Sequence, residues 1–427
     1  MARQDLSRNG VRNSEAIELG LREALLKDGR RLLESLYAQS GLSIPDNASR
    51  PGEKCHPQRE LQMHSIFGLV KLCRSYFYSP ENGRGRFPLD EALGLVESFS
   101  PALVRLAARA AAREGYEAAS EDLAALAGMA IEGRQIHRLV NQVGPKVALA
   151  LQQGPITDPK AIPVFYVEVD GTGVPMVAEE LAGRKGKQAD GSAKTREAKL
   201  GAVFTQTKPD EETGLPVRDP DSTTYVGSFE TSEDFGGRIR QEALRRGLGR
   251  AVKIVFLGDG AAWIWELARV NFPGAIWILD FYHVLERLHE LCEGLYAHPN
   301  SWAARREEQW KQMLQEDQVV EVIAAARRRL QDLGPQDDDA LEKQIAYLEN
   351  HQSRMRYKTY REQGLFYGSG VIEAGCRAVV GQRLKESGMF WTEEGAANVL
   401  ALRCALKGNR WDECWDRLNN SGYLKAA

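Results

Sequence analysis

Two runs of unbroken apolar character, "VKIVFLGD" (252–259) and "AIWILD" (275–280), limit the fold of this chain more than any other feature. A strand with one wet face alternates apolar and polar residues. A strand without alternation must be covered on both faces, as central parallel strands are. Parallel neighbours need a crossover, and the intervening 261–270 segment has the apolar spacing of a helix. Upstream lie three more extended stretches, "VFYVEVD" (164–170), "AKLGAVFTQT" (198–207) and "TTYVGSF" (223–229), then a helical "SEDFGGRIRQEALRRG" (232–247). Hairpin-like strands followed by strand–helix–strand units predict a mixed α/β sheet.

The flanks are helical. Residues 14–42 carry apolar residues at helical spacing, and "SIPDNASRPGEKCHPQ" reads as a linker before a short strand pattern in "HSIFGLVKLCRSYFYS". Residues 98–150 return to helix. The break at "GMAIEG" suits a helix-turn-helix, or an ordinary helical hairpin. Beyond the sheet, 284–366 is almost wholly helical, interrupted at "LGPQDDD". At 427 residues the chain is long enough for two or three units.

Composition excludes little. Hydrophobic content is 43% and charged content 27%, and a net charge of −3 announces no polyanion partner, so any nucleic-acid surface must come from local clustering of the 56 Lys+Arg. The six cysteines form no CxxC pair, which fits reduced thiols in a cytoplasmic protein. No stretch is apolar for long enough to span a bilayer.

Chemistry is suggested by acids at strand ends. Asp170 ends the first strand and Asp259 ends the apolar "VKIVFLGD". Ligands collect at the carboxyl ends of strands in open α/β sheets, so two acids there can share a site. Paired carboxylates repel unless a proton or a cation intervenes, and Mg²⁺ with its oxygen ligands suits that role. Each Asp is followed by Gly, and Asp-Gly is also a favoured turn dipeptide. Alternation puts Glu168 on the face of Asp170, at the rim of such a site. A third acid, Glu373, lies in the first turn of a helix approached through Gly368, Ser369 and Gly370, where it also suits the helix dipole. Arg377 follows at i+4, then Arg383, Lys385 and Trp391, an arrangement suited to a phosphate backbone.

"VEVDGTG" and "GDGAAW" resemble the DxDGT and GDGxxD motifs of haloacid-dehalogenase-like phosphatases. The likeness fails at Glu168, which is one methylene too long for the nucleophile, and at Ala262 and Trp263, which replace the second acid. "VEVDGTGVPM", "AKLGAVF", "FLGDGAAWIWELA", "ILDFYHVLERL" and "GSGVIEAGCRAVVGQRLKESGMFW" together resemble the ISKra-type insertion-sequence transposases over roughly 100–410. That family comprises Mutator-like DDE enzymes with an RNase H-like core.

The resemblance implies a catalytic triad of Asp170, Asp259 and Glu373 holding two Mg²⁺ ions, with Mn²⁺ as a substitute. It also implies an acid-x-x-His pair at Asp280 and His283. The protein would cut element ends and join 3′ ends to target DNA, as a homodimer or larger synaptic assembly. The implied divisions are a helical region (1–50), a degenerate zinc-ribbon-like segment (51–97), a helix-turn-helix-like DNA-binding region (98–150), the first part of the RNase H-like five-stranded core (151–283), an all-helical insertion (284–366) and the C-terminal core helices (367–427). Helix 129–143 would read a DNA groove. Arg377, Arg383, Lys385 and the loop "GRKGKQADGSAKTR" would track phosphates, and Trp391 would either stack on a flipped base or be buried in the fold. Cys55, His56, His64 and Cys73 have poor spacing for zinc, and zinc is not expected. The alternatives are a domesticated relative that binds DNA without cutting it, and a Mg-dependent phosphatase.

Overall fold

The computed structural model describes residues 14–39, 49–153, 160–186, 193–296, 302–334 and 339–420. The chain forms two compact units, one of residues 1–150 with 411–427 and the other of 151–410. Among the described residues no helix is long and apolar enough to cross a membrane.

The first unit holds an antiparallel sheet of β1 (Lys54–Ser65), β2 (Gly68–Ser79) and β3 (Arg84–Arg86). Of the predicted linker, 43–48 lies outside the described residues and Lys54–Gln58 already belongs to β1. Pro57 hid it. A strand tolerates proline at a bulge, and the β1–β2 register shifts between His56 and Arg59. The same register sets Cys55 opposite Phe77 and Cys73 opposite Glu60. Four residues of β2 separate the two thiols along the ladder, roughly 13 Å at strand rise, which is beyond the reach of one ion. Helices Pro101–Ala111, Tyr116–Ala127 and Gly133–Gln152 follow. Ser100 caps the first through Leu103 N, with Pro at the first helical position. The break before Gly133 begins at Gly128, whose left-handed backbone (φ 68) ends the preceding helix. Helix Gly133–Gln152 buries Ile136, Leu139, Val140, Val143 and Val147 on one stripe, while Arg134, His137 and Arg138 face out.

The second unit is built on a five-stranded mixed sheet in the order β6-β5-β4-β7-β8. Its strands are β4 (Ile162–Pro175), β5 (Thr195–Gln206), β6 (Thr224–Ser228), β7 (Ala251–Gly258) and β8 (Ile276–Leu279). β4 runs antiparallel to β5 and parallel to β7, and β7 runs parallel to β8. The two apolar runs are thus adjacent parallel strands, covered on both sides. Gly201 lies against Ile239 and Phe235 of helix Ser232–Arg245, on one face. On the other, Gly375 lies against Leu200 and Tyr225, and Gly227 against Leu400 of helix Glu393–Lys407.

β4 does not turn at Asp170. It continues to Pro175, paired with β5 as far as Thr195. Gly171 and Gly173 are strand residues, so the expectation of a turn there is corrected. The helices Phe281–Leu295, Trp302–Gln315, Val319–Leu333, Ala340–His351 and Tyr357–Glu362 extend the sheet's own core. Leu288, Leu291, Trp310, Leu314, Val322, Ile345 and Leu348 join the apolar cluster that starts at Val164. Tyr357 and Tyr360 donate to the β8 carbonyls of Leu279 and Trp277 at 3.1 and 3.3 Å, which ties the last of these helices to the sheet edge.

Candidate active site

Pairing of β4 with β7 stops at Val169–Gly258. The next residue on each strand is an acid, Asp170 and Asp259, so the register alone sets the two side by side at the carboxyl end of the parallel pair. Asp170 Oδ1 accepts from Gly171 N at 2.6 Å, and its Oδ2 from Cys376 Sγ at 3.3 Å. Burial pushes its carboxyl above the usual range and the charge of Asp259 adds to that, against the two hydrogen bonds and His283. Asp259 Oδ1 accepts from Ala261 N at 2.8 Å, which starts the turn into helix Ala262–Asn271. Gly260 is needed there, because a Cβ would come 2.0 Å from the Tyr347 ring.

Asp280 follows β8 and caps helix Phe281–Leu295. Fully buried, it accepts from His283 N at 2.7 Å, from His283 Nδ1 at 3.2 Å and from Ser369 N. Desolvation pushes its carboxyl up, but the hydrogen bonds from His283 and Ser369 together outweigh it and hold the group below its ordinary range. The hydrogen bond to Asp280 is the main reason that His283 is raised to about 9, with the charges of Asp280, Asp259 and Glu286 adding to it. The imidazole is therefore cationic at neutral pH.

Glu373 is exposed, and its Oε1 accepts from Ser369 Oγ at 3.0 Å. Asp280, His283 and Glu373 each offer a ligand atom within 4.8 Å of the others. His283 is the hub, close to Glu373 and within the electrostatic reach of both Asp170 and Asp259. Three acids from distant parts of the chain thus face one imidazole. Among the described residues none of Asp170, Asp259 and Glu373 is ion-paired to a lysine or arginine. Carboxylate oxygens in excess over the one imidazolium are donors that a hard divalent ion takes, although Asp170 and Asp259 lie outside the group of ligand atoms that approach within 4.8 Å.

Glu168 is the residue that sequence reasoning misplaced. It is not at a rim but 0% exposed, and its Oε2 accepts from Ile372 N at 2.7 Å. Oε1 is buried without a partner. Desolvation first, then the charges of Asp280 and Glu373, raise its pKa to about 8 against the Ile372 hydrogen bond and Arg218. Glu168 and Asp280 together receive the N–H groups of Ile372 and Ser369, so two buried carboxylates fix the start of the segment that carries Glu373. An acid within the apolar "VFYVEVD" was the available signal.

Helix Gly370–Gly375 passes straight into a π-helix at Cys376–Gly381, a local widening often found at functional sites. Of the cations expected to meet DNA, Arg377 is exposed, and Lys385 is exposed with its Nζ on Thr172 Oγ1. Arg383 requires correction, and Trp391 takes the buried alternative. Arg383 is 0% exposed, with its guanidinium 5.0 Å from the Trp391 ring centroid and Nη1 3.2 Å from Met389 Sδ. Trp391 is buried, donates to the Leu384 carbonyl at 3.1 Å, and is held by backbone bonds to Pro175 and Val177. The pair packs the fold together and presents nothing to a backbone or a flipped base. In the basic loop, Arg196 pairs with Glu393, and residues 187–192 lie outside the described residues.

Residues 6–189 match the model of a family described as an uncharacterised protein family (UPF0236). No curated protein matches the chain. Among solved structures, the chain is similar to that of the Drosophila P element transposase strand transfer complex, at 11% identity and a TM-score of 0.26, covering 74% of this chain and 80% of that one. So loose a superposition carries no argument about this chain.

Proposed function

We propose that the protein is a DNA transposase of the DDE type, built on an RNase H-like core and similar to the ISKra group. The observation that carries the reading is the β4–β7 register. It sets Asp170 beside Asp259 while Glu373 arrives on a late helix at the same imidazole. The order also supports it, with the first acid on the first strand of the sheet, the second after the fourth, Asp280 and His283 after the fifth, and Glu373 beyond a helical insertion.

Asp170, Asp259 and Glu373 would hold the Mg²⁺ or Mn²⁺ ions. The chemistry that such ions would supply is a lowered pKa for an attacking water or 3′-hydroxyl and stabilisation of the leaving oxygen. His283, held at Nδ1 by Asp280, presents its other ring nitrogen as a cationic donor to the phosphate. Glu168 and Asp280 keep the Glu373 segment in place. Lys385 and Arg377 follow the backbone of the bound strand, and two element ends held together call for at least a dimer.

The phosphatase reading loses ground on Glu168, whose carboxylate is sealed beneath Ile372 where no phosphoryl group reaches it. The test supplies the full chain and Mg²⁺ with DNA bearing the inverted repeats that flank its gene. Cleavage and joining that vanish in Asp259→Ala support the reading. Specific binding of the repeats without any cutting, in Mg²⁺ or Mn²⁺, identifies a non-catalytic DNA-binding relative instead.

A further inference from the structure

In the helical insertion, Arg287, Lys311, Arg327, Lys358 and Arg361 each lie within ion-pair distance of a glutamate. Among the described residues Arg306, Arg328 and Arg329 do not, and all three line one open cleft of about 820 Å³ among helices Phe281–Leu295, Trp302–Gln315 and Val319–Leu333. Among the described residues their guanidinium hydrogen bonds go to neutral oxygens. Arg306 Nη1 donates to Gln309 Oε1 at 2.8 Å, Arg328 Nε to the Ala324 carbonyl at 3.3 Å, and Arg329 Nε to the Leu295 carbonyl at 3.2 Å. Asp332 is the acid of the lining, and it pairs with none of them.

The same cleft is aromatic. Arg306 and Arg329 lie 5.5 and 5.1 Å from the Tyr296 ring centroid, and Trp302 at the margin is 65% exposed. Three convergent like charges repel one another until an anion joins them. A guanidinium matches the paired oxygens of a phosphate better than any other side chain does. An indole left bare beside it offers the flat apolar surface on which a base stacks. A site of this size suits a ligand of nucleotide dimensions.

We propose that this cleft binds an unpaired nucleotide, its base against Trp302 and Tyr296 and its phosphate among Arg306, Arg328 and Arg329. The chemistry is shared by a nucleotide splayed out of a DNA strand and by a free mononucleotide. The proposal uses none of the acids at the sheet end and stands whether or not they cut DNA.

The test follows the fluorescence anisotropy of a labelled, 5′-phosphorylated single-stranded oligonucleotide on the full-length protein, in EDTA so that metal binding at the acids plays no part. The wild type should bind, and Trp302→Ala and the double variant Arg306→Ala/Arg328→Ala should each weaken binding about tenfold or more. Melting temperatures of both variants near the wild-type value exclude misfolding. Both variants replace exposed or half-exposed residues. Displacement of the strand by a deoxynucleoside monophosphate at similar concentration identifies the free nucleotide as ligand. Failure to displace identifies the strand. Equal binding by wild type and double variant, equal binding of an abasic strand, or binding that disappears in EDTA each overturns the proposal.

Discussion

Charge is handled in opposite ways at the end of the sheet and in the helices that follow it. In the insertion most of the charge is closed on itself, as where Arg327 spans Glu342 and Glu349 and Glu316 takes both Lys358 and Arg361. At the sheet end, Asp170, Asp259, Asp280 and Glu373 share one imidazolium, beside a buried Glu168 whose raised pKa lets it keep its proton. Closed charge holds helices together at little gain and little cost. Open charge works against folding, and a chain keeps it where something from outside completes it. The arginine cleft is the same device in the opposite sign.

The sharpest way to break that contrast is Asp259→Ala. If the carboxylate waits for an ion, its loss should lower strand cleavage at least about 10³-fold. Stability should stay level or rise in metal-free protein, because a charge that repels Asp170 is gone. Calorimetry beside the cleavage assay decides it. A melting point several degrees lower makes Asp259 a structural acid and the comparison false.

Glu168 should give the next largest effect, read in stability. Its pKa is about 8 when folded against 4.5 when unfolded, so the native state holds a proton that the unfolded chain releases. Stability should therefore fall as pH rises from 4.5 to 8, by on the order of 5 kcal/mol across that window. Glu168→Gln keeps an oxygen for Ile372 N and should remove this decline in urea titrations of metal-free protein. An unchanged slope means that the residue is already ionised in the fold. Glu168→Ala leaves Ile372 N without its acceptor and should raise the Mn²⁺ concentration needed for half-saturation, since Glu373 is then less firmly placed.

These effects also show what was legible in the sequence. The apolar runs revealed the parallel pair because double-sided burial leaves no polar alternation, and an acid ending each run marked the site. Glycine misled at 171 and 173, where the strand runs on and the side chains of Glu197 and Thr195 lie where a Cβ would stand. Arg383 misled for a different reason. Burial of an arginine depends on a tryptophan eight residues on folding over it, which no local pattern records. The depth of Glu168 could be read only once the helix that covers it, two hundred residues later, was in place.

His283 belongs to the open region but is itself compensated by Asp280, so its effect should be smaller. Its pKa is raised to about 9. The stabilisation is therefore complete below the unfolded value of 6.5 and is lost as pH rises through 9. With the ring half exposed, the full shift overstates its worth, and about 1–2 kcal/mol is reasonable. His283→Gln should melt lower than wild type at pH 6 and match it at pH 10. A deficit that persists at pH 10 assigns the loss to packing.

Arg327→Ala tests the closed side and should do least. The guanidinium meets Glu349 through Nε and Nη2 at 2.8 and 2.7 Å and Glu342 through Nη1, yet it is about a third exposed. Water already solvates much of that charge, so its removal should cost no more than about 1 kcal/mol. The loss should shrink further in high salt, where screening weakens exposed pairs first. Cleavage and metal affinity should not move, because nothing at the sheet end depends on this charge. A tenfold fall in either would mean that the insertion's ion pairs set the geometry of the acids, and closed and open charge would then be one system.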